Sequence, residues 1–438
     1  MKAPTLFLIT VFALFGFSVV QAQILLPKLQ ELFGSENVIA VDSSAFKEYY
    51  KINVPMLIDH NDKNKGTYFN RVVLGFNDLS SPVVMESGPY GFYPYQEQIS
   101  YKTEIAELLN ANQIIVEHRY FRKSIPDSTT FKYLTYKQVS EDFHHIRQKL
   151  NSIFPKKWVA SGHSKGGDAV LAYKYYYPKD VEATVAYGIN LCLEAEDKQF
   201  DEFLAEKRKT EYGKKLYEDQ LYLLKNKKRL LPAFSDFIHN KELFLEDDFV
   251  IDDVETLYDY SVLELAVEFW QFYGNYKEYE AAIISHYEGT LEVHQPKIAP
   301  LNFQDKIIYS IIPPTKRLNP HYYQAFTEGA YYGYDEKPFQ KYLKNKNYPI
   351  NVFAGQKTVF ENSFRTAQLK WTETEMKNVL LVLADTDPWS VICPISFPPG
   401  KDNLKVMLKN SNHSVKLKDF DEETRNGAVL KLKSWLEK

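Results

Sequence analysis

The amino-acid sequence predicts an α/β protein in which a mostly parallel sheet is interrupted by a large helical insertion. Short runs of consecutive apolar residues alternate with helical patterns up to about residue 190. Long charged amphipathic patterns then replace them, and strand and helix patterns alternate again after residue 376. Because consecutive apolar residues suit strands that are covered on both faces, this order predicts a parallel sheet with an inserted helical cap.

The sheet opens with strands at 47–59 and 67–78, where apolar and polar residues alternate as in a half-exposed antiparallel pair. Four apolar runs predict the buried strands that follow, at 83–85, 114–116, 158–160 and 183–187. Helical patterns separate these runs, at 103–109, 136–154 and 169–177. This strand-helix-strand order predicts right-handed crossovers in a parallel sheet.

The insertion follows the sixth predicted strand and divides the chain. Its main amphipathic helices are predicted at 200–227, 263–270 and 321–331. The core resumes with two strands and a last helix, at 379–383, 404–408 and 424–436. The predicted segments are a signal peptide at 1–22, a first core part at 23–193, a helical cap at 194–375 and a second core part at 376–438.

The N-terminus resembles a secretory signal peptide. Lys2 is followed by an apolar run at 5–20 and by the small-residue cleavage pattern Val20-Gln21-Ala22. A membrane anchor is the alternative, but the run is shorter than the ~20 residues that a span needs. We expect a secreted or periplasmic mature protein without a membrane span, beginning near Gln23.

Composition narrows the classes of partner and cofactor. The chain has 438 residues, with 53 basic and 57 acidic side chains, and it lacks a basic stripe interleaved with aromatic residues. Nucleic acid is therefore not expected as a partner. No metal-binding motif, P-loop or dinucleotide fingerprint occurs, so we expect catalysis without a metal or another cofactor. The sequence leaves the oligomeric state open.

The segment 162–167, Gly-His-Ser-Lys-Gly-Gly, predicts a nucleophile elbow at Ser164. It follows a buried strand and precedes a helix, which is the context that a G-x-S-x-G elbow requires. Gly162 and Gly166 allow the backbone to turn sharply enough to expose the serine hydroxyl. This context predicts an α/β-hydrolase fold with Ser164 as nucleophile, against the alternative of a structural glycine-rich turn.

A serine hydroxyl needs a general base, and the base needs an orienting acid. His413 follows the last strand and is the predicted base. Asp385 and Asp387 follow the preceding strand, and either can reach His413. Asp387 is preferred because Pro388 restricts its backbone, whereas Asp385 can cap the turn. Other histidines are better explained by packing or surface positions: His118, His144, His145 and His163.

Two backbone N–H groups are predicted to form the oxyanion hole. One belongs to Lys165, the residue after the nucleophile, and the other to Tyr90 or Gly91 in the loop after strand 83–85. A plain turn is the alternative for that loop. Cys192 and Cys393, the chain's two cysteines, follow core strands at the same edge of the sheet, so either a disulfide or two buried thiols is compatible with the sequence.

Several segments resemble the secreted bacterial tripeptidyl aminopeptidases of the serine class, and more distantly lysosomal Pro-X carboxypeptidase and its dipeptidyl peptidase relative. The segments are 116–121 (VEHRYF), 162–167 (GHSKGG), 387–389 (DPW), 268–274 (EFWQFYG) and 323–328 (YQAFTE). The resemblance implies a Ser164, Asp387 and His413 triad, and it supports Asp387 over Asp385. It also implies release of tripeptides from a free N-terminus. An esterase-like hydrolase and a catalytically silent binding protein are the alternatives.

A helical cap over the triad restricts entry, which favours peptide ends and short peptides as substrates. A buried substrate ammonium needs a carboxylate partner, because an unpaired buried charge is costly. Glu328 and Glu268 are the candidates, with structural ion pairs in the cap as the alternative for each. Trp270 and Tyr323 are the predicted aromatic contacts to the peptide, although most cap aromatics are expected in the cap core.

Overall fold

In the computed structural model, nine strands of the described residues form one sheet, in the order β1-β2-β3-β5-β4-β6-β7-β8-β9. The strands are β1 Val38–Val41, β2 Glu48–Leu57, β3 Thr67–Phe76, β4 Val83–Ser87, β5 Asn112–Val116, β6 Trp158–His163, β7 Ala183–Tyr187, β8 Val379–Ala384 and β9 Leu404–Leu408. The structure describes residues 23–155, 157–240, 244, 248–287, 302–311, 313–392 and 395–437.

The pairs β1–β2, β2–β3 and β3–β5 are antiparallel. The pairs β5–β4, β4–β6, β6–β7, β7–β8 and β8–β9 are parallel. The predicted antiparallel pair is confirmed as β2 and β3, with Glu48 opposite Phe76 and Leu57 opposite Thr67. The edge strand β1 was not predicted, although its four residues, Val-Ile-Ala-Val, are all apolar; only Val38 is buried, as expected of a short strand at a sheet edge. The insertion therefore follows the seventh strand of the sheet rather than the sixth.

Helices flank the sheet and also form most of the described part of the insertion. They are α1 Leu26–Phe33, α2 Glu104–Leu108, α3 Tyr136–Leu150, α4 Lys165–Tyr176, α5 Lys198–Arg208, α6 Glu211–Lys225, α7 Lys227–Ile238, α8 Val254–Phe272, α9 Tyr276–His286, α10 Phe303–Ile307, α11 Asn319–Gln324, α12 Ser363–Thr374, α13 Pro388–Val391 and α14 Glu422–Leu436. None of the helices in the described part of the chain combines the length and apolarity needed to cross a bilayer.

The single helix predicted at 200–227 was wrong, because the chain forms α5 and α6 there. Thr210 caps the second helix by accepting a hydrogen bond from the backbone N–H of Gly213. A side chain at Gly213 would lie 2.0 Å from the carbonyl oxygen of Lys207, so the two helices approach closely at this turn. A capping threonine followed by a glycine thus divides a continuous charged pattern.

The cap lies between β7 and β8, and its described residues are mainly helical. They form an apolar core of their own that is rich in tyrosine and phenylalanine and separate from the clusters against the sheet. The exact limits of 194 and 375 remain a prediction. The parallel sheet, its flanking helices and the strand-turn-helix at Ser164 together form an α/β-hydrolase fold, as predicted.

Candidate active site

Ser164 occupies the sharp turn between β6 and α4. Its backbone has φ 56° and ψ −129°, a conformation that non-glycine residues rarely adopt. A Cβ at Gly162 would lie 2.2 Å from the carbonyl oxygen of Gly166, and one at Gly166 would lie 2.5 Å from that of Ser87. The turn can therefore form only with glycine at both positions.

Asp387 and His413 form a buried pair at the ends of neighbouring strands. The His413 Nδ1 and Asp387 Oδ2 atoms lie 2.9 Å apart. Asp387 is fully buried and also accepts hydrogen bonds from the Ser390 hydroxyl at 2.6 Å and the Trp389 backbone N–H at 3.1 Å. The other ring nitrogen, Nε2 of His413, is buried and has no hydrogen-bond partner among the described residues. It is therefore free to exchange a proton with a nucleophile.

The competing acid, Asp385, lies in a different part of the same loop. Its backbone N–H donates to the Leu408 carbonyl oxygen, and among the described residues its carboxylate accepts a hydrogen bond only from the Ser411 N–H, at 3.4 Å. The rival His163 stacks edge-on against His413, with ring centroids 4.9 Å apart. Burial holds the pKa of His163 well below its usual value. These contacts give Asp385 and His163 supporting positions beside the Asp387–His413 pair.

Gly188 packs against this pair, and it directly follows the residue that binds the Ser164 backbone. The backbone N–H of Ser164 donates to the Tyr187 carbonyl oxygen at 2.9 Å, at the end of β7. The next residue, Gly188, has φ +54°, and a Cβ there would lie 2.9 Å from His413 Nδ1 and 3.4 Å from Asp387 Oδ2. The sequence analysis missed this residue, although a glycine directly after a buried strand marks a close approach.

The cap holds the loop that carries the histidine. The backbone N–H of His413 donates to the Gln271 carbonyl oxygen at 2.8 Å, and the Asn412 side-chain amide donates to the Phe272 carbonyl oxygen at 2.6 Å. Gln271 was missed because only Glu268 and Trp270 were singled out from its segment. The end of α8 therefore positions His413, in addition to covering it.

Ser164 opens into a cavity of about 70 Å³ between core and cap. Aromatic side chains form much of its wall: Tyr90, Tyr136, His321, Tyr331 and Trp389. The indole N–H of Trp389 is buried and has no partner among the described residues.

Lys165 is buried on the wall of the same cavity. Its ammonium group donates a hydrogen bond to the Gln324 side-chain carbonyl of the cap. Burial lowers the pKa of Lys165 to about 7, and the nearby charges of Asp168 and Glu328 oppose that shift. Asp168 is itself paired with Arg365 at 2.7 Å. Core and cap are thus joined by charged groups directly beside the nucleophile.

The loop predicted to complete the oxyanion hole faces Ser164 through Tyr90. Tyr90 lines the cavity of Ser164, and its carbonyl oxygen accepts the His118 backbone N–H at 3.2 Å. Gly91 lines a neighbouring cavity, which Tyr90 also lines. Of the two predicted donors, Tyr90 is thus the one that lines the Ser164 cavity.

The cap residues predicted to bind substrate occupy different surroundings. Glu328 accepts the Tyr136 backbone N–H at 2.9 Å, and burial raises its pKa to about 7 although Arg365 and Lys165 lie nearby. Tyr323 packs edge-on against Phe131, with ring centroids 5.5 Å apart. Neither Glu328 nor Tyr323 lines the Ser164 cavity.

Glu268 lies on α8, one turn before Gln271. Burial and the negative charge of Glu264 raise the pKa of Glu268 to about 8. Its carboxylate has no hydrogen-bond or ion-pair partner within the described ranges. Trp270, on another face of the helix, is buried in the cap core with the Lys207 ammonium 4.6 Å from its ring centroid.

Comparison with known proteins identifies the family. A family model described as PS-10 peptidase S37 matches residues 37–435. The chain belongs to this peptidase family. It is also 23% identical over 389 residues to the prolyl tri/tetrapeptidyl aminopeptidase of Streptomyces mobaraensis. The matched residues cover 86% of this chain and 78% of that protein.

Solved structures match most of the chain at low identity. VinJ matches with a TM-score of 0.43 and 14% identity over 90% of this chain and 100% of that chain. The proline iminopeptidase of Mycobacterium smegmatis matches with a TM-score of 0.38 and 12% identity over 84% and 95% of the two chains. The family match makes the chain a serine peptidase, and its own sheet and helices give the α/β-hydrolase fold, which agrees with the resemblance drawn from its motifs.

One of the two cysteines lies within the described residues. Cys192 is buried in the cap cluster, and its sulfur accepts the Asn190 side-chain amide at 3.1 Å. Cys393 lies outside the described residues, so the predicted bridge to Cys192 stays a prediction. Within the described ranges, no three histidine, cysteine or carboxylate side chains are arranged to hold a metal ion.

Proposed function

We propose that this serine peptidase is an exported aminopeptidase that releases tripeptides from the free N-terminus of peptides through Ser164, His413 and Asp387. The observation that carries the proposal is the buried Asp387–His413 pair with an unpartnered Nε2, beside a strained serine on a nucleophile elbow. The signal-like segment 1–22, which lies outside the described residues, supports export.

In the proposed reaction the Ser164 hydroxyl attacks the carbonyl carbon of the third peptide bond while His413 Nε2 takes its proton. Asp387 keeps the imidazole in the required tautomer and stabilises the imidazolium. The backbone N–H groups of Lys165 and Tyr90 stabilise the oxyanion. His413 then gives the proton to the leaving amine. In the second half, water takes the place of that amine: His413 removes a proton from the water, its oxygen attacks the acyl-enzyme, and His413 returns the proton to Ser164.

Glu268 is the better suited of the two carboxylates for binding the substrate ammonium. Glu264, Glu268 and Gln271 follow at helical spacing on α8, so they share the face on which Gln271 reaches the active site. The Glu264 carboxylate is held by the hydroxyls of Tyr332 and Tyr334, each at 2.5 Å, whereas that of Glu268 has no partner among the described residues. A cation would relieve the repulsion between these two acids. Glu328, by contrast, already lies near Lys165 and Arg365.

The cavity at Ser164 supports a preference for proline before the cleaved bond. Its volume of about 70 Å³ suits a small side chain, and the flat rings of Tyr331 and Trp389 on its wall suit the compact proline ring. The Streptomyces mobaraensis relative is named as a prolyl peptidase, which agrees with this preference.

Peptides of the type Xaa-Xaa-Pro-Yaa-Yaa, with a free or an acetylated N-terminus, test the proposal by mass spectrometry of the products. We expect the free peptide to release its first three residues, and the acetylated peptide and an alanine-for-proline control to react more slowly. Labelling by a fluorophosphonate probe separates an active enzyme from a silent binding protein. Equal hydrolysis of free and acetylated peptides would contradict the aminopeptidase proposal and favour an esterase or endopeptidase.

A further inference from the structure

A second cavity, of about 540 Å³, shares Tyr90 with the Ser164 cavity. The core contributes Gly91 and the loop that follows β5, including Phe121 and Arg122, and the cap contributes residues 316–318 and Pro320. Because Tyr90 lines both cavities, the larger one lies next to the Ser164 cavity. Its volume falls in the range of about 300–1,000 Å³ that is typical of ligand sites.

The lining of this cavity combines apolar surface with unpaired positive charge. Tyr93 and Ile125 are 38% and 44% exposed there, which is unusual for large apolar side chains. Arg122 and Lys316 are also exposed, and neither forms an ion pair with any described residue. A peptide with apolar and anionic groups would complement both features.

The other charged groups of the cavity are one paired cation and one carboxylate. Arg317 pairs with Asp248 at 2.6 Å. The Asp127 carboxylate accepts both the backbone N–H and the hydroxyl of Thr129, at 2.8 and 2.6 Å, and keeps its negative charge. Arg122 and Lys316 outnumber this single carboxylate, so the cavity offers a net positive charge to a ligand.

Arg122 is fixed against the oxyanion loop. Its backbone has φ +50°, an uncommon conformation for a residue with a side chain. Its Cγ atom lies 2.0 Å from the position that a Cβ at Gly91 would take, so the arginine stem packs directly on the Gly91 backbone. Glycine at position 91 thus leaves room for the Arg122 side chain beside Tyr90.

We propose that this cavity binds the leaving part of the peptide substrate, and that Arg122 and Lys316 favour leaving peptides that carry carboxylates. The inference rests on the proposed function, in which the acyl part enters the small cavity and its ammonium is bound by an acidic group. A cationic cavity repels that ammonium. It suits instead the C-terminal side of the substrate, which ends in a carboxylate and can carry acidic side chains.

Competition between matched peptides tests the inference. The peptides share one tripeptide with proline at its third position and differ in the leaving part, which ends in a free carboxylate or an amide and carries Glu or Gln. For the native enzyme we expect kcat/KM to be about three- to fivefold higher for each carboxylate, the size of an exposed ion pair, with a smaller effect at high salt. The two comparisons distinguish the C-terminal carboxylate from an acidic side chain.

The double variant Arg122→Gln and Lys316→Gln should abolish this preference, with a ratio near one for each pair of peptides. Lys123→Gln is the matched control, since Lys123 is exposed beside Arg122 but does not line the cavity. An unchanged preference in the double variant, or no preference in the native enzyme, would overturn the inference.

The same tripeptide joined to aminomethylcoumarin reports the proposed function separately, because its leaving group has no peptide chain. If the native enzyme cleaves this compound but treats all leaving peptides alike, only the inference about the second cavity fails. Failure to cleave it in either form, free or blocked, would instead contradict the proposed function.

Discussion

The core and the cap of this peptidase place ionisable groups in different ways. In the core, the buried carboxylate of Asp387 is matched by His413, Ser390 and a backbone N–H, so its charge is fully paired. In the cap, Glu268 is partly buried beside another acid, and its pKa is raised to about 8. The Asp387 carboxylate is thus paired within the core. In the cap, the Glu268 carboxylate has no partner among the described residues, so a cationic ligand can pair with it. Core substitutions should reduce turnover of every substrate, and cap substitutions should change which substrates are preferred.

The largest effect is expected for Ser164→Ala, which removes the nucleophile. We expect kcat to fall by on the order of 10⁶ with every substrate and fluorophosphonate labelling to disappear. The thermal midpoint should be retained, because alanine is as small as serine in the elbow. Ser140→Ala, at a buried serine of α3 whose hydroxyl donates to the Tyr136 carbonyl oxygen, is the control and should keep its activity. Substantial peptide turnover by Ser164→Ala would remove Ser164 from the mechanism.

The next effect separates the two aspartates of the acid loop. Asp387→Asn should lower kcat by about 10⁴, since an amide favours the wrong imidazole tautomer. Asp385→Asn should cost less than about tenfold, because its carboxylate makes one long contact to a backbone N–H, and such contacts contribute little. The steady-state kinetics of both variants on one tripeptide substrate decide the point, and the reverse ranking would assign the acid to Asp385.

Gly188→Ala tests whether the core depends on exact placement of the base. Its Cβ would lie 2.9 Å from His413 Nδ1, so the ring must move, and a shift of about 1 Å can cost roughly 10² in kcat. Gly400→Ala is the matched control: Gly400 also has a left-handed φ, of +71°, but a Cβ there meets nothing within 4 Å. Equal activity of the two variants would show that backbone strain alone, rather than contact with His413, accounts for any loss at Gly188.

The sequence predicted the core better than the cap, for physical reasons. A nucleophile elbow needs small residues at fixed spacing, and core strands need continuous apolar residues, so the turn at Ser164 and most strands could be predicted from the sequence alone. The choice between Asp385 and Asp387 depended on loop geometry and on resemblance. In the cap, Glu268 and Trp270 are two residues apart, yet one lies on the face of Gln271 and the other packs in the cap core. Helical spacing puts the two residues on different faces, but tertiary packing decides which face meets the active site and which packs in the cap core.

In the cap, Glu268→Gln should lower kcat/KM for free-amine tripeptide substrates by about thirtyfold, as expected for losing one partner of a buried charge pair. Acetylation of the substrate should cost a similar factor, and the two losses should not add because both remove one interaction. Glu328→Gln is the competing variant and should have the smaller effect. If Glu328→Gln instead shows the larger and non-additive loss, Glu328 binds the ammonium.

The smallest and most specific expected effect is a pH dependence confined to free-amine substrates. The pKa of Glu268 is raised to about 8, so the carboxyl group gains a proton as the pH falls and can no longer pair with the ammonium. The substrate amine, with a pKa of about 7.7–8.0, loses its charge as the pH rises. The ratio of kcat/KM for free over acetylated substrate should therefore peak near pH 8 and fall by about tenfold or less towards pH 6. Taking the ratio removes the titration of His413, which both substrates share. A ratio that stays flat with pH in the native enzyme, or one that Glu268→Gln leaves bell-shaped, would show that the ammonium is bound elsewhere in the cap.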